Sequence, residues 1–337
     1  MAGSRPVVPS VARLCDGDRL EFFGVPAMPH RDSLFARFLI YQRERFPLLR
    51  YAPLVLVFTG SASTYSRLAR GAPGFVRWEV FLTGAWTALA LFVLLRVLDE
   101  HKDGRTDAAF RSELPVPRGL ISLGELRSLA GGALGAAFIL NALVAPRLLW
   151  ALGATLLWLA LMGREFFIAG WLRRHPTAYM LTHMAVMPMI DSYTTGLDWL
   201  AEGDHPRTGL WLFLAITYLN GMVLEIGRKI RAPEQERAGV ETYTRAWGLG
   251  GAPIVWLGVL LATAAAATLA GGLTGAGWVG PVFVLALLTA TALPGLAFRR
   301  SPTPANAHRL DTAGGFWTLG MYLVLAIGPF AARWLGP

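Results

Sequence analysis

Apolar stretches long enough to cross a lipid bilayer recur nine times along this sequence of 337 residues. The hydrocarbon layer of a bilayer is about 30 Å thick, and an α-helix of about 20 residues spans it. Because backbone N–H and C=O groups find no water in lipid, segments of this length form helices. We therefore predict an all-α integral membrane protein with nine transmembrane helices around a central cavity. The nine windows lie near residues 52–70, 77–98, 123–143, 148–168, 178–200, 209–228, 250–271, 278–298 and 314–334.

The composition fits this class of protein and excludes others. Of all residues, 54% are hydrophobic and 16% are charged, and the net charge is +9. A basic excess in a polytopic membrane protein usually reflects the charge bias that orients its helices, so we expect no nucleic-acid partner. Cys15 is the only cysteine, which rules out an internal disulfide and a metal cluster of the Cys-x-x-Cys kind.

The distribution of basic residues predicts the orientation in the membrane. If residues 1–50 lie in the cytoplasm, twenty-two Lys and Arg fall in cytoplasmic segments and six fall in the opposite loops and helix ends. Cytoplasmic loops of membrane proteins are enriched in Lys and Arg. We therefore expect a cytoplasmic N-terminal arm (1–50) and a nine-helix domain (51–337), with the N-terminus inside and the C-terminus outside. The predicted location is the inner, cytoplasmic membrane, which the chain crosses several times.

Two polar loops on the predicted cytoplasmic side are the richest in charge. Residues 99–122 follow the second window and residues 228–248 follow the sixth, and each begins with charged residues at helical spacing on the end of a span. A transporter is expected to place its charges near the middle of the membrane in two related halves. Charges at one face instead favour an enzyme whose site is formed by both loops and faces the cytoplasm.

The first loop begins with RVLDEHKDGRTD at residues 96–107. Residues spaced by four lie about 40° apart around a helix, so Asp99, Asp103 and Asp107 share one face. Unneutralised carboxylates repel one another, and a hard divalent cation relieves that repulsion. Mg²⁺ fits this pattern best, since it combines one or two carboxylates with water and phosphate oxygens. Alternatively, the cluster is a solvated helix end in which Asp99 pairs with Arg96, and Lys102 and Arg105 neutralise the remaining acids.

The second loop begins with basic residues at the end of the sixth window. Glu225, Arg228 and Lys229 fall on one helical face, Arg231 lies just beyond, and Pro233 is expected to stop the helix. A guanidinium binds phosphate through two hydrogen bonds and an ammonium acts as a point charge. This cluster therefore predicts a diphosphate site. Alternatively, it is a positive-inside anchor that only fixes the sixth helix.

Ionisable residues also occur within predicted spans, where they are expensive to keep and by default face a cavity or a partner. His183 and Asp191 are eight residues apart on nearly one face, although Pro188 is expected to bend the helix between them. We predict that they are catalytic, as a base or an acceptor-orienting pair; alternatively, neighbouring helices satisfy them. Arg164 and Glu165 are predicted as a second such pair; alternatively, they simply neutralise each other.

The two loops together resemble the UbiA superfamily of intramembrane prenyltransferases, and the resemblance covers the whole helical part. In that family a motif NxxxDxxxD leads into a stretch similar to RPLPSGxxS, and here DEHKDGRTD leads into ELPVPRGLIS at 113–122. The family's second Asp motif precedes a stretch similar to GVKTLPVxxG, which resembles GVETYTRAWG at 239–248. The resemblance implies an isoprenyl diphosphate bound through Mg²⁺ between both motifs, with its tail in an apolar tunnel. Ionisation then gives an allylic cation that an acceptor captures.

The first motif departs from the family pattern because its leading Asn is absent. If Asp99 takes the place of the Asn, Asp103 and Asp107 are the paired acids. In a shifted register, Arg96 replaces the Asn, and Asp99 pairs with Asp103. Asp103 is a metal ligand in both registers.

The second motif departs further, because alignment from Gly239 places Arg231 and Gln235 where the family has aspartates. We therefore expect one Mg²⁺ on the first cluster, with side-chain cations in place of a second metal ion. The predicted metal ligands are Asp99, Asp103 and Asp107. The predicted diphosphate-binding residues are Arg96, Lys102, Glu225, Arg228, Lys229 and Arg231.

The sequence thus predicts a Mg²⁺-dependent prenyltransferase that acts on an isoprenyl diphosphate and an unidentified acceptor at the surface of the bilayer. Three alternatives stay open at this point. A terpene cyclase would use the same diphosphate without an acceptor. A transferase with a phosphorylated-sugar donor would use the same cationic site, and a transporter would use the intramembrane charges as a pathway.

Overall fold

A computed structural model of the protein describes residues 33–237 and 240–335. Most of the predicted N-terminal arm, including Cys15, lies outside the described residues, and so does Gly239 of the second motif. The described residues form twelve α-helices and no β-strand. The helices are α1 (Leu34–Arg45), α2 (Leu48–Arg70), α3 (Trp78–Phe110), α4 (Leu123–Val144), α5 (Leu148–Gly163), α6 (Ala169–Arg174), α7 (Pro176–Met184), α8 (Val186–Glu202), α9 (Gly209–Arg228), α10 (Tyr243–Thr274), α11 (Val279–Arg300) and α12 (Pro304–Leu335).

Every predicted apolar window falls on helical structure, which confirms the all-α membrane class. In the described part of the chain, six helices are long and apolar enough to cross a membrane: α3, α4, α9, α10, α11 and α12. Helix α5 is apolar but has only 16 residues, and α2 contains several basic and hydroxyl side chains. The count of nine spans and the orientation stay predictions.

The fifth predicted span is divided into two helices at Ala185, the one residue between them, which keeps a helical backbone conformation. Helix α7 ends at Met184, and α8 begins at Val186. Pro188 explains the position of the break, because its ring clashes with the carbonyl of the residue four positions earlier, which is Met184. The helix therefore stops where that clash would occur, and His183 lies on a separate helix from Asp191.

The bundle is built around α2, α8, α9 and α12, which pack against one another, while α10 and α11 complete one side and α3, α4 and α5 the other. The described part of the predicted arm, residues 33–50, contacts this bundle. Helix α1 is held against α3 and α4 by an ion pair at each end, Arg37 with Glu125 of α4 at 2.6 Å and Arg45 with Glu100 of α3 at 2.8 Å.

The connection between α9 and α10 folds back onto the end of α9. The backbone N–H of Tyr243 donates to the carbonyl of Lys229 at 3.1 Å, and the N–H of Arg231 donates to the Thr244 hydroxyl at 3.1 Å. Helix α10 is kinked at Gly248, whose φ of 80° and ψ of 161° are readily adopted only by glycine. The first turn of α10 therefore stays over the end of α9, where it closes the second polar loop.

Candidate active site

The two polar loops meet at one end of the bundle, around the ring of Tyr179 on α7. The Nζ atom of Lys102, from α3, lies 4.4 Å from the centroid of this ring. The Nζ atom of Lys229, at the end of α9, lies 5.9 Å from the same centroid. A ring with a cation from each loop beside it places the first and second clusters in one site, as the sequence predicts.

The second cluster is organised by one buried carboxylate. The Glu225 side chain is 4% exposed and forms ion pairs with Arg228 Nη2 at 2.5 Å and with Lys229 Nζ at 2.7 Å. Arg228 keeps 58% of its side chain exposed. The cluster therefore has two cations and one anion, and its excess positive charge is open to a ligand. Helix α9 ends at Arg228, five residues before the Pro233 that was expected to stop it.

The first cluster supplies two exposed carboxylates rather than three. Helix α3 continues to Phe110, so all three aspartates are helical. Asp99 and Asp103 are exposed, and Asp99 interacts electrostatically with Arg228. The Asp107 side chain is 2% exposed and lies 3.8 Å from Arg45 of α1. Within the described residues no three His, Cys, Asp or Glu side chains are grouped to hold a metal ion, so a metal site here would use Asp99 and Asp103.

Arg96 pairs with Glu100, a partner that was not predicted from the sequence. Its Nη2 atom lies 2.6 Å from the Glu100 carboxylate, whereas the solvated-helix alternative predicted a pair with Asp99. The Glu100 side chain is 1% exposed and also receives Arg45 from α1 at 2.8 Å. Arg96 therefore helps to bind α1, and we do not retain it among the diphosphate-binding residues.

Glu165 pairs with Lys102, which was not predicted from the sequence. It does not pair with Arg164, as was expected, but lies 2.6 Å from Lys102 Nζ. Lys102 also donates a hydrogen bond to the Tyr179 hydroxyl. A carboxylate at the end of an apolar window was the available signal, but its partner lies in a distant part of the sequence.

His183 and Asp191, predicted as a pair, have different surroundings. The ring of His183 stacks on Tyr179 at a centroid distance of 3.8 Å. Its Nδ1 atom is 2.9 Å from the Tyr179 carbonyl, while its Nε2 atom is buried and has no hydrogen-bond partner in the described structure. Asp191 is fully buried and accepts from the Tyr322 hydroxyl at 2.6 Å. The predicted pair is therefore not formed, and only His183 belongs to the charged site.

An apolar cavity of about 700 Å³ lies below the charged site, between α2, α3, α9 and α12. Phe92 of its wall is seven residues before Asp99 on α3, which is about 10 Å along the helix. Leu224 of its wall directly precedes Glu225 on α9. Helices α3 and α9 thus each contribute one residue to the cavity wall and, further along the same helix, residues to the charged site. Aromatic and aliphatic side chains dominate the lining, among them Phe58, Phe92, Met187, Leu224, Phe316 and Tyr322.

A second, smaller pocket of about 190 Å³ adjoins the charged site on the side of α7 and α10. Its walls include the rings of Tyr179 and Tyr243, and the Nζ atom of Lys229 lies within 6 Å of both ring centroids. Lys229 therefore borders both the charged site and this pocket. Polar side chains also line the pocket, namely Glu241, Thr242 and Arg245.

These features define a class of protein: a multi-pass helical membrane protein with a charged site above a cavity lined by apolar side chains. A solved structure concerned with digeranylgeranylglyceryl phosphate synthase in membranes has the same fold. It is 12% identical to this chain and matches it with a TM-score of 0.56, over 88% of this chain and 99% of the other. At this identity the likeness establishes the fold alone. No family model matches the sequence, and no curated protein matches it.

Proposed function

We propose that the protein is an intramembrane prenyltransferase, which transfers an isoprenyl group from an isoprenyl diphosphate to an acceptor at the cytoplasmic face of the inner membrane. The observation that carries the proposal is that α3 and α9, which bring charges to the Tyr179 ring, also form walls of the 700 Å³ apolar cavity. A diphosphate needs cations, and an isoprenyl tail needs an apolar space of this size. The fold shared with a digeranylgeranylglyceryl phosphate synthase supports the same class of reaction.

The residues present fit the magnesium ion that the proposal implies. Asp99 and Asp103 are exposed, acidic and one helical turn apart, which matches a Mg²⁺ ion held by one or two carboxylates with the remaining positions left to water and phosphate. When bound, Mg²⁺ would supply positive charge to the diphosphate leaving group. Asp107 is buried beside Arg45 and Arg111, so we assign it to the docking of α1.

Two cations of the chain, Arg228 and Lys229, bind the diphosphate in this proposal. Arg228 is exposed enough to form a two-pronged contact with phosphate oxygens, and Lys229 adds a point charge beside it. In the reaction the C–O bond breaks, and its electron pair leaves on the diphosphate. Fixed cations at that position stabilise the developing negative charge and lower the barrier.

The aromatic wall of the cavity is suited to stabilise the allylic cation that remains when the C–O bond breaks. The rings of Phe58 and Tyr322 lie 4.9 Å apart, and the faces of such rings attract a cation. An acceptor in the 190 Å³ pocket would attack the allylic carbon and lose a proton as the new bond forms. His183 carries a buried, unpartnered Nε2 atom, and we assign it to accept a hydrogen bond from the acceptor.

The test is to incubate the purified protein, in lipid nanodiscs, with isoprenyl diphosphates of 10 to 20 carbons, Mg²⁺ and a panel of aromatic and lipid acceptors. We expect release of pyrophosphate and formation of a prenylated acceptor, both abolished by EDTA. A hydrocarbon or alcohol product formed equally well without any acceptor would identify a terpene cyclase instead. If no chain length yields pyrophosphate under any of these conditions, the proposal is wrong.

Replacement of Asp191 by Asn is expected to lower stability more than activity. The carboxylate is buried and accepts hydrogen bonds from Tyr322 at 2.6 Å and Thr194 at 3.1 Å, so the change is expected to cost about 1–3 kcal/mol of unfolding free energy. Thermal unfolding in nanodiscs and pyrophosphate release measure the two effects separately. A loss of turnover in a protein that unfolds at the wild-type temperature would instead support the catalytic role predicted from the sequence.

A further inference from the structure

The turn that carries Glu165 has an unusual backbone. Glu165, Phe166 and Phe167 have φ angles of 50°, 53° and 61°, and these are the only non-glycine residues with positive φ in the described chain. Each residue held in this left-handed region costs about 1 kcal/mol or more. Phe166 offsets part of this cost by packing against Trp158 and His183, with ring centroids 5.3 and 6.0 Å away. The packing fixes the turn, and the turn fixes the direction of the Glu165 carboxylate.

Glu165 is held at the charged site by a single cation. Its Oε1 atom lies 2.6 Å from Lys102 Nζ, and the exposed fractions of the Glu165 and Lys102 side chains are 17% and 34%. Its Oε2 atom is buried and has no hydrogen-bond partner in the described part of the structure. A carboxylate with one oxygen unsatisfied is not placed for maximal stability, because a buried acceptor without a partner is unfavourable.

The partner of Glu165 is the cation nearest along the chain to the proposed metal ligands. Lys102 directly precedes Asp103 and follows Asp99 by three residues, so its stem starts beside the position of the diphosphate. With no ligand bound, Glu165 neutralises Lys102, just as Glu225 neutralises part of the charge of Arg228 and Lys229. A diphosphate carries more negative charge than a carboxylate and competes for the same ammonium.

We propose that Glu165 is a positioning residue that holds Lys102 in an ion pair as long as no ligand is bound. When an isoprenyl diphosphate binds, its phosphate oxygens replace Glu165 as the partner of Lys102. This inference rests on the proposed function. The Tyr179 ring forms the surface along which the ammonium moves, since it already contacts Lys102 and faces Lys229. When the diphosphate binds Lys102, the Glu165 carboxylate therefore loses its partner, on the side of the site where His183 lies.

The exchange predicts that removal of the Glu165 charge tightens the binding of an anion. We expect Glu165→Gln to bind inorganic pyrophosphate about fivefold more tightly than the wild type, because Lys102 no longer has to leave an ion pair. Isothermal titration calorimetry on the full chain in nanodiscs, at a fixed Mg²⁺ concentration, measures this. Glu234→Gln is the matched control, because Glu234 is exposed in the α9–α10 connection and its loss leaves Lys102 paired.

A second variant keeps the test decisive if Glu165→Gln is poorly folded. We expect Lys102→Met to bind pyrophosphate about tenfold more weakly, and the double variant to match Lys102→Met, since Glu165 acts only through Lys102. A residue that only braced the fold would weaken binding, or leave it unchanged, when replaced. Unchanged or weaker binding by Glu165→Gln, or a double variant that differs from Lys102→Met, therefore overturns the inference. A wild-type protein that binds no pyrophosphate contradicts the proposed function itself.

Discussion

Replacement of Asp103 by Asn is expected to reduce the release of pyrophosphate from an isoprenyl diphosphate by about a hundredfold to a thousandfold. Asp103 is exposed at the charged site, one helical turn from Asp99, and it belongs to the metal pair in both registers of the first motif. The amide keeps the size of the side chain but removes the charge that would hold Mg²⁺ beside the leaving group. Initial rates at saturating Mg²⁺ measure the loss.

Two companion variants make this result specific. Glu113→Gln removes an exposed acid from the same loop and is expected to leave the rate unchanged. Asp107→Asn removes the third aspartate of the motif, which lies buried next to Arg45 and Arg111; it is expected to lower stability and to retain most of the activity. If Asp107→Asn loses as much activity as Asp103→Asn, all three aspartates serve the metal ion, and the pair proposed above is wrong.

The elements of the fold were predictable because they depend on local composition. Each apolar window is helical, since lipid leaves the backbone no other way to satisfy its hydrogen bonds. The ends of the helices were less predictable. Helix α3 extends twelve residues past its window, to Phe110, because contacts with α1 shelter polar residues such as Glu100. The break before Val186 follows from Pro188, which was expected to bend the helix between His183 and Asp191.

The site was predictable as a set of motifs but not as a set of contacts. The meeting of the two loops followed from their shared membrane side, and the structure places a lysine from each beside Tyr179. Helical spacing allowed Arg96 to pair with either Asp99 or Glu100, and Arg45, from a different helix, decides in favour of Glu100. The Lys102–Glu165 pair joins residues 63 positions apart, and no local pattern specifies such a pair.

The opposite end of the bundle contains a second charged network, which illustrates how similar residues can have a purely structural role. Asp198 of α8 is fully buried and accepts hydrogen bonds from Ser66 at 2.9 Å, Arg67 at 2.9 Å and Arg70 at 2.6 Å. These three residues lie in the last turns of α2, a helix of 23 residues that extends about 34 Å from the end beside α1. The network is closed by two acids with partly exposed side chains, Glu202 and Asp204.

Replacement of Asp198 by Ala is therefore expected to lower the unfolding free energy by about 3–5 kcal/mol, because it removes the only fully buried partner that Arg67 and Arg70 have in the described network and leaves them with partly exposed acids alone. Unfolding by SDS in mixed micelles measures the loss. Glu202→Gln is the control, since Glu202 contacts the same two arginines but its side chain is 44% exposed, and it is expected to lose much less.

The same variant separates stability from function. The folded fraction of Asp198→Ala is expected to bind pyrophosphate with wild-type affinity, because the network and the Tyr179 site lie at opposite ends of α2 and share no residue. Asp103→Asn should show the reverse, with near-wild-type unfolding and lost turnover. If Asp198→Ala weakened pyrophosphate binding in the folded protein, the two ends would be energetically coupled through α8, and the assignment of function to one face alone would have to be abandoned.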